Sequence, residues 1–536
     1  MPAAASEERS ALASPPRKAP SMRCRRDQSC GSGPSALSAG RDPDMPATAS
    51  AAAAKTRLQP VMAPFSCDGR PPPPNPSTLL ARTVPDDLDE TQALGEVTVL
   101  PPGRAVAPVG RTGPGYTAPF MPSHEPRLSA AAREMRFSAI RRMSALIERP
   151  GIISFAPGQP SPETFPVEAF RQILDEVVEK ESAGAFQYIL TRGLGDLLTA
   201  VGEYAAAKGM RARPAELMLT EGSQQGLDLV SRVLLDPADV VLVELPSYIG
   251  ATSAFRASRA RMVGVRLDEE GLDLDDLRRR YRAESAEGRR VKFLYVVPSF
   301  QNPSGISHSV ARRRGLLEAA QELDLLVVED DPYGDLYFEG DPLPTLKSMD
   351  EGGRVLYLSS FSKILAPGLR TAFLLGPEEI VAKIEIAKQS ANLCGSGLDQ
   401  RVILACLRRG LIEEQKARIR PYYRSKRDAM LAALEAEMPA GMRWTRPGGG
   451  LFVWVTLPEG MDAEQLLEAA VAEGVAYVAG GSFFVDGSGA NTMRLTFARE
   501  DVPTIREGVK RLARAVKARR ASPERVSGRA YPSPDG

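Results

Sequence analysis

Leu358-Ser-Ser-Phe-Ser-Lys-Ile-Leu-Ala-Pro-Gly-Leu-Arg370 decides how the rest of the chain is read. It continues Val355-Leu-Tyr-Leu358, an apolar run that predicts a buried strand. The strand ends in small hydroxyl residues, one lysine, a Pro-Gly turn and an arginine. A lysine just past a buried strand end is costly to desolvate unless something uses it. Partial desolvation is also what makes an amine nucleophilic enough to condense with a carbonyl. Ser360, Ser362 and Arg370 are donors suited to a phosphate. An aldehyde-reactive lysine beside a phosphate site points to pyridoxal phosphate. The competing reading is a solvated surface lysine, and the rest of the chain must decide between them.

The composition narrows the choices. The chain has 536 residues, with 68 basic and 67 acidic side chains and a net charge of +1. Nothing in that balance marks a nucleic-acid or membrane surface. The two histidines, His124 and His308, are too few for a histidine-based zinc site and leave a catalytic triad little scope. The five cysteines, at 24, 30, 67, 394 and 406, have neither metal-ligand spacing nor a disulfide framework, and no metal is expected. No apolar run reaches the roughly 18 residues of a membrane span, and no compact signal peptide opens the chain. A cytoplasmic enzyme is the default expectation.

Residues 1–130 hold about half of the 45 prolines, including Pro71-Pro-Pro-Pro74, and show no apolar periodicity. Such a segment cannot bury enough surface to offset chain entropy, so a disordered tail is expected. A helix is expected from 130 to 147, ended by Arg149-Pro-Gly151. Apolar strands are expected at 216–220, 240–244, 261–266, 293–297, 325–331, 355–358 and 373–376. Helical patterns intervene at 166–181, 196–207, 227–234, 274–282 and 311–323. This alternation predicts an α/β fold with a large, doubly wound, mostly parallel sheet. Helices at 382–410, 421–437, 462–473 and 502–519, with strands at 450–455, 476–478 and 492–497, predict a smaller α+β domain. The expected organisation is a tail at 1–130, an arm and small-domain segment at 131–165, a large domain at 166–415, a small domain at 416–520 and a second tail at 521–536.

Ligands of doubly wound sheets bind at the strands' carboxyl ends, and the polar clusters lie there. Glu329-Asp-Asp-Pro-Tyr333 closes a buried strand with carboxylates, which need a cationic partner. A carboxylate against a pyridine nitrogen makes pyridoxal phosphate an electron sink. Tyr333 and Asn302 can reach the ring's oxygen; Asp330 or Asp331 could instead cap the loop. Gly222-Ser-Gln224 opens a helix, where backbone N–H groups favour a phosphate, although the same residues can serve as an ordinary cap. Tyr248 could stack on a ring or be merely half-buried.

The ordered set Gly222-Ser-Gln224, Tyr248, Asn302-Pro-x-Gly305, Asp330-x-x-Tyr333, Ser360-x-Ser-Lys363, Arg370 and Arg494 resembles the fold-type I pyridoxal-phosphate enzymes. It is most similar to the class I/II aminotransferases of the 2-aminoadipate/kynurenine branch, over about residues 134–518. The resemblance implies that Lys363 condenses with the cofactor and Asp330 pairs with the ring nitrogen. It implies Tyr333 and Asn302 at the ring oxygen and Tyr248 stacked on the ring. Gly222, Ser223, Gln224, Ser360, Ser362 and Arg370 would hold the phosphate. Tyr188 would reach the neighbouring subunit's phosphate, implying a homodimer. Arg494 would clamp the substrate carboxylate, with Gly158 beside it, and Arg141 either matches a position that can meet an acidic side chain or is a solvated helix arginine. Two departures stand out: Ala372 where many relatives have glycine, and Pro157 in place of one of a glycine pair.

The expected reaction passes an amino group from an L-amino acid of 2-aminoadipate, aromatic or branched-chain type to a 2-oxo acid such as 2-oxoglutarate. Lys363 would move the proton. The alternatives are a pyridoxal-phosphate lyase and a MocR-type transcription regulator, which would need a folded DNA-binding module in the first 130 residues.

Overall fold

The computed structural model describes residues 124–135 and 150–521. The expected tails, apart from 124–130 and residue 521, lie outside the described residues, as do Arg141 and most of the expected 130–147 helix. The described part of that helix is Ala130–Glu134, capped by Ser129 Oγ on the N–H of Ala132 at 3.1 Å.

Eight strands form the large sheet, in the spatial order Leu217–Thr220, Ala372–Leu375, Val355–Ser360, Leu326–Asp331, Val291–Val296, Val240–Leu245, Arg261–Asp268 and Gly271–Leu272. The five from Val355–Ser360 to Arg261–Asp268 run parallel. Ala372–Leu375 runs against both of its neighbours. Its first residues therefore share an edge with the carboxyl ends of the others, which brings Arg370 to the edge where Lys363 follows its own strand. Helices cover both faces, so the central strands are largely buried, and their runs of Val, Leu and aromatic residues follow from that. Ala372 is fully buried in register with Thr220 and Ser360.

A four-stranded antiparallel sheet lies in the order Arg443–Trp444, Phe452–Thr456, Thr492–Thr496 and Val478–Ala479. The early segment joins this region: Ile153–Ser154 pairs in parallel with Val475–Ala476, and Phe155 O accepts the N–H of Thr496.

Three expectations need correction. The helix expected over 382–410 is two helices, Glu378–Asn392 and Gly397–Arg408. The chain turns at Leu393, with φ +64°, and passes Gly395 against the Glu221 carboxylate, where a Cβ would collide. The helix expected to open at Pro421 begins at Leu411 and runs to Glu437. Proline removes one ladder bond, but Ile412, Ile419, Tyr423, Met430 and Leu434 bury their side chains on both sides of it, and that packing carries the helix through. The strand expected at 476–478 is interrupted at Tyr477, whose hydroxyl donates to Ala463 O at 2.7 Å while its flanks join different sheets.

Helix Leu411–Glu437 is locked to the large sheet's surroundings by Asp335, two residues beyond Tyr333. Asp335 Oδ2 accepts from Tyr204 Oη at 2.6 Å and Lys208 Nζ at 2.7 Å, and Lys416 Nζ lies 3.1 Å from Oδ1. Both lysines also lie over the Tyr204 ring. Burial opposes ionisation of Asp335, but the two ammonium groups outweigh it and hold the carboxyl well below its usual range. Such a group stabilises the fold above its unfolded-state pKa of about 3.9, and the contribution fades as pH falls toward the native value. Asp335→Asn should cost about 3–5 kcal/mol in urea denaturation at pH 7. The gap between mutant and wild type should narrow below about pH 4.

Candidate active site

Lys363 follows strand Val355–Ser360, half-buried, with its Nζ donating to Gly158 O at 3.0 Å. Burial is the main force lowering its pKa, to about 8; the charges of Arg494 and Arg370 add to it and Asp330 opposes. A substantial fraction of the amine is thus neutral near physiological pH, as a carbonyl nucleophile needs.

Asp330 sits on the neighbouring strand, 2% exposed. Its Oδ2 accepts from Tyr295 Oη at 2.9 Å, while Oδ1 has no protein partner. Burial lifts its pKa to about 7 against the Tyr295 hydrogen bond. The capping alternative belongs to Asp331, whose Oδ1 accepts the N–H of Gly334 at 2.9 Å. A buried carboxylate oxygen without a donor is costly, and Oδ1 of Asp330 suits the protonated nitrogen of a pyridine ring.

Asn302 stands between Tyr333 and Arg494. Its Nδ2 donates to Tyr333 Oη at 3.5 Å and its Oδ1 accepts from Arg494 Nη1 at 2.9 Å. Arg494 is 1% exposed and lies over the rings of Phe452 and Phe483. Its Nη2 donates to Ala156 O at 2.6 Å, and its Nε has no protein partner. Gly158 backs onto Phe452: a Cβ there would lie 2.7 Å from the ring's Cζ.

The phosphate-binding candidates gather at the same edge. Gly222, with φ +79°, caps helix Ser223–Leu234, and a Cβ on it would collide with the Arg370 guanidinium. Arg370, itself at φ +43°, is aimed by Nη2 donating to Glu221 O at 3.1 Å. Ser360 Oγ donates to Ser362 Oγ at 2.8 Å, and Ser223 Oγ is buried without a partner. Gln224 turns its side chain to Gly250 O and the Tyr248 hydroxyl, so its backbone N–H in the first helical turn is what faces an anion. Unpartnered polar atoms on Asp330, Ser223 and Arg494 match a ring nitrogen, a phosphate and a carboxylate, so these residues fit pyridoxal phosphate and an amino acid.

Tyr188 does not join this cluster within its own chain: it is 78% exposed. Arg141 lies outside the described residues. Sequence reasoning missed Tyr295, whose place inside an apolar strand reads as core, and the carbonyls of Ala156 and Gly158, which carry no side-chain signal.

The family model for aminotransferase class I and II matches residues 150–512. The chain belongs to the class I and II aminotransferases. The aromatic-amino-acid aminotransferase 1 of Thermococcus litoralis is 44% identical over 395 residues, 74% of this chain and 95% of that protein. The 2-aminoadipate transaminase of Thermus thermophilus is 44% identical over 389 residues, 72% and 95% of the two chains. The crystal structure of Pyrococcus horikoshii kynurenine aminotransferase, in complex with PMP, superposes with a TM-score of 0.71 at 44% identity, covering 74% of this chain and 98% of that one. This aminotransferase is accordingly a pyridoxal-phosphate enzyme of the α/β, fold-type I architecture. Among the described residues no group of three or more His, Cys, Asp or Glu could hold a metal ion, and no helix is long and apolar enough to cross a membrane.

In the cofactor-free aminotransferase, labelling of Lys363 by an amine-directed reagent, read by peptide mass spectrometry, should rise with pH through a midpoint near 8. A midpoint near the ordinary lysine value of about 10.4 would contradict the desolvated environment.

Proposed function

We propose that this aminotransferase takes amino donors of the 2-aminoadipate, aromatic or branched-chain type and passes the amino group to 2-oxoglutarate or a similar 2-oxo acid. The observation that carries the reading is that carbonyls of one loop hold both Lys363 and Arg494. Lys363 is anchored at Gly158 O and Arg494 at Ala156 O, two residues apart. Two residues span at most about 7 Å. That bound applies to the two carbonyls, which place the reactive lysine and the carboxylate-binding arginine at one loop, as a substrate with its amine and carboxylate on one carbon requires. The similarity to aminotransferases acting on aromatic and 2-aminoadipate substrates supports the donor class.

When bound, pyridoxal phosphate supplies an aldehyde that accepts the amino group and a ring that takes up the electron pair left as the substrate Cα proton departs. Lys363 Nζ would move the proton between the amino acid Cα and the cofactor's aldehyde carbon, in one direction for the donor and in reverse for the acceptor. Asp330 Oδ1 keeps the ring nitrogen protonated, a stabilisation realised as negative charge develops. Tyr333 and Asn302 would face the ring oxygen, and Tyr248 would pack on the ring. Gly222, Ser223, Gln224, Ser360, Ser362 and Arg370 would hold the phosphate. Arg494 binds the substrate carboxylate through its open Nε edge, with Gly158 leaving room beside it.

We read 166–415 as the cofactor-binding domain, with 131–165 and 416–520 contributing the smaller one. Phe186, Tyr188 and Leu190 are all more than two-thirds exposed within five residues, which supports a homodimer in which Tyr188 reaches the partner's phosphate. A cytoplasmic enzyme fits the absence of a long apolar helix among the described residues.

Lys363→Ala should lose the visible absorbance of the bound cofactor and all transamination; turnover retained with added cofactor would overturn the assignment. With 2-oxoglutarate as acceptor, a donor panel should place 2-aminoadipate, aromatic or leucine-type donors at least about tenfold above alanine in kcat/KM. One side-chain pocket contact can supply a difference of that size.

A further inference from the structure

Asn302 is hydrogen-bonded to both Arg494 and Tyr333, so whatever holds it governs the substrate carboxylate and the ring oxygen together. It sits on the loop between strand Val291–Val296 and helix Val310–Glu322, and three buried polar residues hold that loop from behind. The adjacent Gln301 is fully buried, and its side chain turns to partners other than those of Asn302. Its Nε2 donates to Glu244 Oε2 at 3.1 Å and Pro246 O at 2.7 Å. Its Oε1 accepts from Ser304 N at 2.8 Å and Ser304 Oγ at 2.6 Å. Both donors and both acceptor positions of the amide are thereby used. Glu244, also fully buried, accepts the N–H of Val297 at 3.0 Å, and its Oε1 lies 2.9 Å from His308 Nε2. Arg313 gathers the loop's two ends, donating to Pro298 O at 2.6 Å, Ser299 Oγ at 3.0 Å and His308 O at 3.0 Å.

The same amide ties two separate elements. Pro246 lies two residues before Tyr248, so Gln301 couples the turn that carries the ring-packing tyrosine to the loop that carries Asn302. A carboxylate and an amide cost more to bury than apolar side chains of equal volume. Filling space therefore does not explain them. A saturated amide, by contrast, has one orientation and permits one loop conformation.

We propose that Gln301, oriented by Glu244, is the positioning residue that sets Asn302 and, through it, the aim of Arg494 at the substrate carboxylate. The inference rests on the roles given to Asn302 and Arg494 in the proposed function, and the experiment separates the two. Gln301→Met, which keeps the volume and removes all four bonds, is compared as holoenzyme with Asn302→Ala and with the double variant. Three readouts are taken: KM against kcat for the amino donor, the pH midpoint of the bound cofactor's visible absorbance, and the thermal midpoint.

Gln301→Met should raise KM about tenfold while changing kcat less than about threefold, as lost substrate binding does. It should also move the absorbance midpoint to higher pH, because displaced donors no longer draw charge from the ring oxygen. The double variant should match Asn302→Ala alone, since coupled residues are not additive. Glu244→Gln keeps an acceptor for Gln301 and Val297 and should behave close to wild type. If Gln301→Met does not fold, Glu244→Asp, whose shorter carboxylate cannot reach both Gln301 and His308, takes its place with smaller shifts in the same directions. A lowered thermal midpoint with unchanged KM and absorbance midpoint, or additive effects in the double variant, would overturn the positioning role. If Asn302→Ala itself moved neither KM nor the absorbance midpoint, the underlying reading of Asn302 would fail instead.

Discussion

The site depends on one buried carboxylate. Asp330 lies within the large sheet with a tyrosine hydroxyl on one oxygen and nothing of the protein on the other. Burial lifts its pKa to about 7, so the cofactor-free protein holds this group against its preference for water. A protonated ring nitrogen at Oδ1 would supply the missing donor and the missing charge together. A ring nitrogen bound there would relieve part of the cost of burying Asp330. Tyr295 fixes which oxygen stays open, and so which one such a nitrogen would meet.

Around that point the fold supplies direction through chain geometry. One antiparallel strand in an otherwise parallel set turns Arg370 toward the same edge as Lys363. The arm from Ile153 joins the smaller sheet, yet offers its carbonyls at Ala156 and Gly158 to two cations of the site. That single loop is anchored further on, where the Ser161 N–H donates to Tyr423 Oη at 3.0 Å and the Ser161 and Tyr422 hydroxyls lie 2.9 Å apart, both tyrosines coming from helix Leu411–Glu437. The helix that passes through Pro421 thus meets the Asp335 cluster through Lys416 and, about two turns on along the same face, the Ser161 loop through Tyr423.

Much of this was legible in the sequence, for physical reasons. The central strands of the large sheet show as apolar runs, because burial on both faces leaves no polar alternation, whereas Arg261–Asp268, near the sheet's edge, keeps exposed polar ends around an apolar middle. Lys363, Asp330, Tyr333, Asn302 and Arg370 stand out because charged and polar residues at the ends of such runs are costly unless used. Less legible were features that depend on tertiary contact. The break at Leu393 is set by the approach of Gly395 to Glu221, and the helix through Pro421 by packing on both sides. Tyr295 and Gln301 have side chains whose partners lie on other strands, and the carbonyls of Ala156 and Gly158 belong to the backbone, which local pattern does not reveal. Arg141, one candidate for meeting an acidic side chain, lies outside the described residues.

The central claim is transfer of an amino group, with Lys363 moving the proton and Arg494 holding the carboxylate. The most direct test is a single-turnover reaction of the holoenzyme with an amino donor and no acceptor. The account predicts one equivalent of 2-oxo acid per active site, an equal amount of cofactor converted to its amine form, and no ammonia. Sustained release of ammonia with the cofactor unchanged would contradict it and make the enzyme a lyase.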